Sequence, residues 1–177
     1  MDVSLEHTPP ATAGDLPCTA ADLIGLSAEL LRAGVAVRFR ARGASMGPLL
    51  RDGDVLWVQP VEPGSLRVGD VVLCSSAPGR VVVHRVVRKL AGSPEPRFVV
   101  QGDQLAWPDG VIPAAQVYGR AVAVERDGVR MAMDRGVPKW LGRLAALRSR
   151  WNLGRGPRFD LAWQLFKSLP FLSRYLA

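Results

Sequence analysis

The sequence predicts a mainly β fold (α+β) with one N-terminal helix and a helical C-terminal appendage. Three observations carry this expectation. From Val35 to Met133, short valine-rich runs are bounded by Gly, Pro and Asp, the pattern of strands joined by tight turns. Ahead of them, leucines recur at helical spacing up to Leu31. Behind them, the chain turns basic and rich in Leu and Trp. A length of 177 residues with 48% hydrophobic content suits one domain with an appendage and excludes global disorder. The organisation reads as a flexible tail over 1–17, a β-domain with its leading helix over 18–134, and a basic amphipathic helical segment over 135–177.

The tail holds Pro9, Pro10, Gly14 and Pro17 with acidic Asp2 and Glu6. It lacks the basic start and apolar core of a secretory signal. Thr19-Ala20-Ala21-Asp22 opens a helix that runs to Leu31 or Arg32, with Thr19 or Asp22 as the cap and Ala33-Gly34 as the stop. Leu23, Leu26 and Leu30, with Ile24 and Leu31, form its apolar face. Strands are expected over Val35 to Ala41, Val55 to Gln59, Asp70 to Ser75, Arg80 to Lys89, Arg97 to Gln101, Val117 to Glu125 and Val129 to Met133. Asp127-Gly128 is the hairpin turn between the last two. Prolines 60, 63, 78, 94, 96, 108 and 113 fall in the connections, where they spare the sheet ladders.

Cys18 and Cys74 are far apart and read as free thiols. With only two histidines and no Cys/His cluster, a zinc site is not expected, and no cofactor is implied. No stretch approaches the ~20 apolar residues that span a bilayer, so the chain is not expected to be an integral membrane protein. From Val137 to Ala177, eight Lys and Arg face the single Asp160, an excess that matches the +7 of the whole chain. Trp140, Leu144, Leu147 and Trp151 recur at helical spacing, as do Leu165, Leu169, Leu172 and Leu176, with Pro170 interrupting the second run. Such a segment either lies on a membrane surface or packs on the β-domain with a basic outer face. Nucleic acid ranks behind both, because no DNA-reading motif accompanies the charge.

The chemistry concentrates around Gly43-Ala44-Ser45-Met46-Gly47-Pro48, a turn between two strand-like runs. Glycine permits left-handed turns and proline cannot donate to a ladder, so Ser45 would sit on irregular backbone where a nucleophile can be presented. His84 follows in an apolar strand, then Asp103 and Asp109. Serine, histidine and a carboxylate can act as nucleophile, general base and orienting group. Their order, Ser-His-Asp, differs from the chymotrypsin, subtilisin and α/β-hydrolase orders, and there is no Gly-x-Ser-x-Gly elbow. Arg85 falls on the opposite face of its strand from His84 and reads as a solvated or structural charge.

Ser45-Met46-x-Pro48, Gly53-Asp54, Gly69-Asp70-Val71-Val72, His84-Arg85-Val86-Val87 and Gly102-Asp103 with Asp109 resemble, in matching order, the boxes of the type I signal peptidase family. The resemblance spans Val35 to Glu125 and is greatest to the branch that uses histidine as base, where related LexA-type repressors use lysine. It implies the compact β-fold of that clan and a serine endopeptidase acting on a peptide or protein precursor, cut after a small residue. Ser45 would be the nucleophile, His84 the base, and Asp109 or Asp103 the orienting group. The Ser45 N–H would donate to the oxyanion, with Gly43 near the substrate and Met46 either beside it or packed under the turn. The glycine–aspartate pairs would be structural.

Three features depart from the family. Gly43 stands where many bacterial relatives carry a hydroxyl, Gly47 where they carry a larger residue, and the leading helix takes the place of a membrane anchor. The expected role is therefore a specialised maturation protease, cytoplasmic or peripheral on the inner face of the membrane. The alternatives are a LexA-type self-cleaving regulator and a non-catalytic β-scaffold that binds a partner or membrane.

Overall fold

The valine-rich runs assemble into one antiparallel sheet that curls into a half-barrel. The computed structural model describes residues 20–133, with side chains from residue 25. The expectations for the tail, for Cys18, for the Thr19 or Asp22 cap and for the basic segment 135–177 lie outside these described parts. Helix α1 spans Ala20–Arg32. The strands are β1 (Val37–Arg40), β2 (Val55–Gln59), β3 (Val71–Ala77), β4 (Arg80–Leu90), β5 (Arg97–Gln101), β6 (Gly110–Pro113), β7 (Val117–Arg126) and β8 (Val129–Ala132). Their order across the sheet is β1-β2-β7-β3-β4-β5-β6, with β8 also on β7.

Two long strands hold the architecture together by changing partner along their length. β7 pairs β2 along one edge, and on the other it pairs β3 through Val117–Arg120 and β8 through Ala123–Arg126. β4 pairs β3 over Arg80–Arg85 and β5 over Arg85–Leu90. The β5-side edge of Arg80–His84 therefore has no strand partner among the described residues.

Both faces of the sheet are packed. In β3 all of Val71–Cys74 is buried, and alternate residues point to opposite faces. Val71 and Leu73 join a first core with Leu31, Met46, Leu50, Leu56, Val58 and Val124. Val72 and Cys74 join a second with Val86, Phe98, Val100 and Ile112. Burying each such large apolar side chain is worth roughly 1.5–3 kcal/mol. α1 reaches the first core through Leu31 above Gly119, where a Cβ would lie 2.7 Å from the Gln59 carbonyl and 3.0 Å from Leu31 Cδ2.

Most strand bounds agree with the sequence reading to within a residue or two. Two differences have local causes. β1 begins at Val37, not Val35, because α1 ends in a Schellman turn: Gly34 has φ +85°, and the N–H groups of Gly34 and Val35 donate to the carbonyls of Leu31 and Leu30. β6 was expected to be part of a connection. It is a short edge strand ending in Pro113, a position where the missing N–H leaves no ladder bond unmade. The Asp127-Gly128 turn is as expected, with φ +50° and +77°. No described helix is long and apolar enough to cross a membrane.

Candidate active site

Three segments converge on Ser45: its own turn between β1 and β2, the middle of β4, and the loop between β5 and β6. The turn is fixed by its backbone. Gly43 sits at φ +90° and donates its N–H to Asp52 Oδ1 at 2.7 Å. The N–H groups of Gly47 and Leu50 donate to the carbonyls of Ala44 and Met46. Buried Met46 and Leu50 root the turn in the first core. The Gln104 N–H donates to the Ser45 carbonyl at 2.8 Å, tying the turn to the β5–β6 loop. Ser45 thus stands outside helix and sheet on backbone braced from two sides, as the glycines and proline implied.

His84 is buried in β4 with its two ring nitrogens facing different partners. Nε2 lies 3.1 Å from Ser45 Oγ, and Nδ1 contacts Asp109 Oδ2. An ionised carboxylate can only accept, so Nδ1 carries the hydrogen; in the neutral ring Nε2 is then an acceptor for the Ser45 hydroxyl. Asp109 is held by its own N–H, which donates to the Val100 carbonyl at 2.9 Å. Its second oxygen, Oδ1, lies 3.6 Å from the exposed Arg80 guanidinium. Gly102 lets the loop come this close. A Cβ there would stand 2.8 Å from the Ser45 carbonyl and 3.0 Å from His84 Nε2.

Asp103, expected as an alternative orienting group for His84, is instead the partner of Arg85. Both residues are buried; Arg85 Nε donates to Oδ1 at 2.8 Å and Nη2 to Oδ2 at 2.5 Å, while Nη1 donates to the Gly69 carbonyl at 2.8 Å. The reason is strand alternation. Arg85 points away from His84, and a buried guanidinium requires a carboxylate on its own face. Arg85 is accordingly a structural charge and not a solvated one.

The glycine–aspartate pairs bind backbone as anticipated: Asp54 accepts from the Arg51 N–H and Asp70 from the Arg67 N–H. The sequence reading missed Arg126. Its Nε and Nη2 grip the two oxygens of Asp54 at 2.9 and 2.7 Å, and Nη2 also donates to the Leu49 carbonyl. Burial works against the Asp54 charge, but the hydrogen bonds from Arg126 and the Arg51 N–H outweigh it and hold the carboxyl below its usual range. This latch closes the loop that begins at Ser45. Nothing local in the sequence links two residues so far apart.

Ser45 and His84 open onto a cleft of about 560 Å³. Phe39 to Gly43 form one wall and Arg80 to His84 the other, with Met46, Leu50, Leu73 and Leu105 contributing apolar surface. Gly43 and Met46 thus both line the cleft, and Met46 is at the same time part of the core beneath it. Cys74 offers no competing nucleophile: burial, aided by the Asp109 charge, pushes its thiol up to about 12. No family model and no curated protein matches this chain.

Proposed function

We propose that this chain is a serine endopeptidase of the signal-peptidase type, with Ser45 as nucleophile, His84 as general base and Asp109 as the group that orients the imidazole. One observation carries the reading: the unbroken series Asp109–His84–Ser45 at the mouth of a largely apolar cleft. The cleft walls also support an extended peptide as the occupant. Among the described residues β1 is an edge strand and Arg80–His84 has a free edge, so a segment laid between them would find backbone donors and acceptors on both sides.

In the proposed reaction Ser45 Oγ attacks the peptide carbonyl carbon while its proton passes to His84 Nε2. The carbonyl oxygen becomes an oxyanion facing the Ser45 N–H; such a donor is typically worth about 3 kcal/mol. Collapse breaks the C–N bond, His84 returns the proton to the leaving amine, and an ester on Ser45 remains. A water then adds to the ester, giving its proton to His84, and the freed acid leaves with Ser45 reprotonated. Asp109 holds the ring and balances its transient charge. Asp103 acts one step removed, by seating Arg85 in β4 beside His84. By the motif resemblance the substrate is a precursor cut after a small residue.

The test compares protein N-termini in cells carrying the wild type and Ser45→Ala. The reading requires a small set of termini to vanish in the variant while their precursors accumulate. An unchanged set of termini in cells that express the protein would overturn it. On any purified substrate so found, Ser45→Ala is expected to lose about 10⁴-fold or more in kcat.

A further inference from the structure

The charged residues that line the cleft are Arg40, Arg42, Arg51 and Arg80; no Asp or Glu lines it among the described residues. The ion pairs of Arg42 and Arg80 are long. Asp52 is 3.6 Å from Arg42, whose side chain is 77% exposed, and Asp109 is 3.6 Å from Arg80, which is 59% exposed. The Arg42–Asp52 pair is exposed at both ends and contributes little at such a distance, while Asp109 is buried and leaves only the Arg80 end of its pair facing solvent. Asp109 is in addition committed to His84 through its other oxygen. The floor is apolar, built from Met46, Leu50 and Leu73. An uncharged side chain fits that floor, while its neighbours along the peptide face guanidinium groups on both walls.

We infer that the cleft selects peptides with acidic side chains within a few residues of the scissile bond. This rests on the peptidase reading for its scissile bond, but the charge preference can be measured without cleavage. A positively charged cleft with low-dielectric walls concentrates anionic segments and repels cationic ones, so lysine near the scissile bond is selected against. Arg42 and Arg80, one from the Ser45 turn and one from β4, are the specificity-determining residues, because both guanidinium groups are largely exposed and held only by long ion pairs, leaving donors for a substrate carboxylate.

The experiment uses the full chain and three fluorescent peptides that share an alanine-rich centre and carry glutamate, glutamine or lysine on its flanks. Cleavage is read as kcat/KM, and binding as fluorescence anisotropy on Ser45→Ala. The glutamate peptide is expected to exceed the glutamine peptide about tenfold in both readouts at low salt, with the lysine peptide last. Raising the salt should shrink the ratio. In Arg42→Gln/Arg80→Gln the ratio should fall toward one, a control that separates the cleft from the basic segment 135–177. Equal handling of the glutamate and glutamine peptides overturns the inference, as does a ratio that survives in the double variant. Preferential binding of the glutamate peptide that depends on Arg42 and Arg80, but without cleavage of any peptide, would uphold the charge selection and count against the peptidase reading alone.

Discussion

Asp103 and Asp109 leave the same loop and meet neighbouring residues of β4, yet their removal should be felt differently. Asp109→Asn keeps a polar group beside His84 Nδ1 but no longer enforces the tautomer, so kcat is expected to drop by about 10⁴ with little change in the urea midpoint. Asp103→Ala strands the buried Arg85 guanidinium and should cost about 3–5 kcal/mol of stability, read from urea unfolding. An Asp103→Ala protein as stable as the wild type would contradict the structural assignment. The sequence carried Ser45 and His84 as candidates through the order of the boxes around them, since neither residue stands out by its local frame alone. It left the two aspartates unresolved, because which carboxylate reaches which face of β4 depends on the path of the β5–β6 loop. Gly43 adds a further point at this scale. At φ +90° any side chain would be strained although the space beside it is open, so a hydroxyl-bearing side chain has no ready place at this position on this backbone.

At the scale of elements, the latch between Asp54 and Arg126 joins the end of the Ser45 loop to the end of β7. The folded-state pKa of Asp54 lies below the ordinary 3.8, so its contribution to stability is complete above that value and is lost as pH falls through the folded pKa. Wild-type thermal stability should therefore fall on acidification below pH 3.8, and Asp54→Asn, less stable at neutral pH, should lose less across the same window. Differential scanning fluorimetry from neutral to acid pH checks the slope; parallel curves would dissociate the latch from acid sensitivity. Legibility at this scale followed pattern length. Five-residue runs such as β2 and β5 were readable to the residue, since valines and flanking Gly or Pro mark both ends. Four-residue β6 was not, because Gly110 and Pro113 are themselves half of it. The start of β1 was obscured by the helix before it, whose Schellman turn claims the Val35 N–H.

For the molecule as a whole, the helix and the sheet share one core that runs beneath Ser45, and Gly119 sets their separation. Gly119→Val would drive methyl groups into the Gln59 carbonyl and Leu31. We expect a loss of about 1–3 kcal/mol in urea unfolding, with faster hydrogen exchange in α1. Retained stability and protection would show that α1 seats independently of that close contact. The sheet order was beyond the sequence, since valine runs mark strands without naming partners, and β2-β7 and β3-β7 join distant parts of the chain. One consequence of β4 reaches beyond stability. Its successive residues commit to opposite faces, His84 to Ser45 and Arg85 to Asp103. A shift of the strand by one residue would set either the permanently charged Arg85 or the apolar Val83 before the hydroxyl, depending on its direction, and in neither case the imidazole. The strand thus works as a check on assembly. On the proposed reading, a chain in the wrong register has no base for its serine, and a misfolded copy is harmless to the peptides around it.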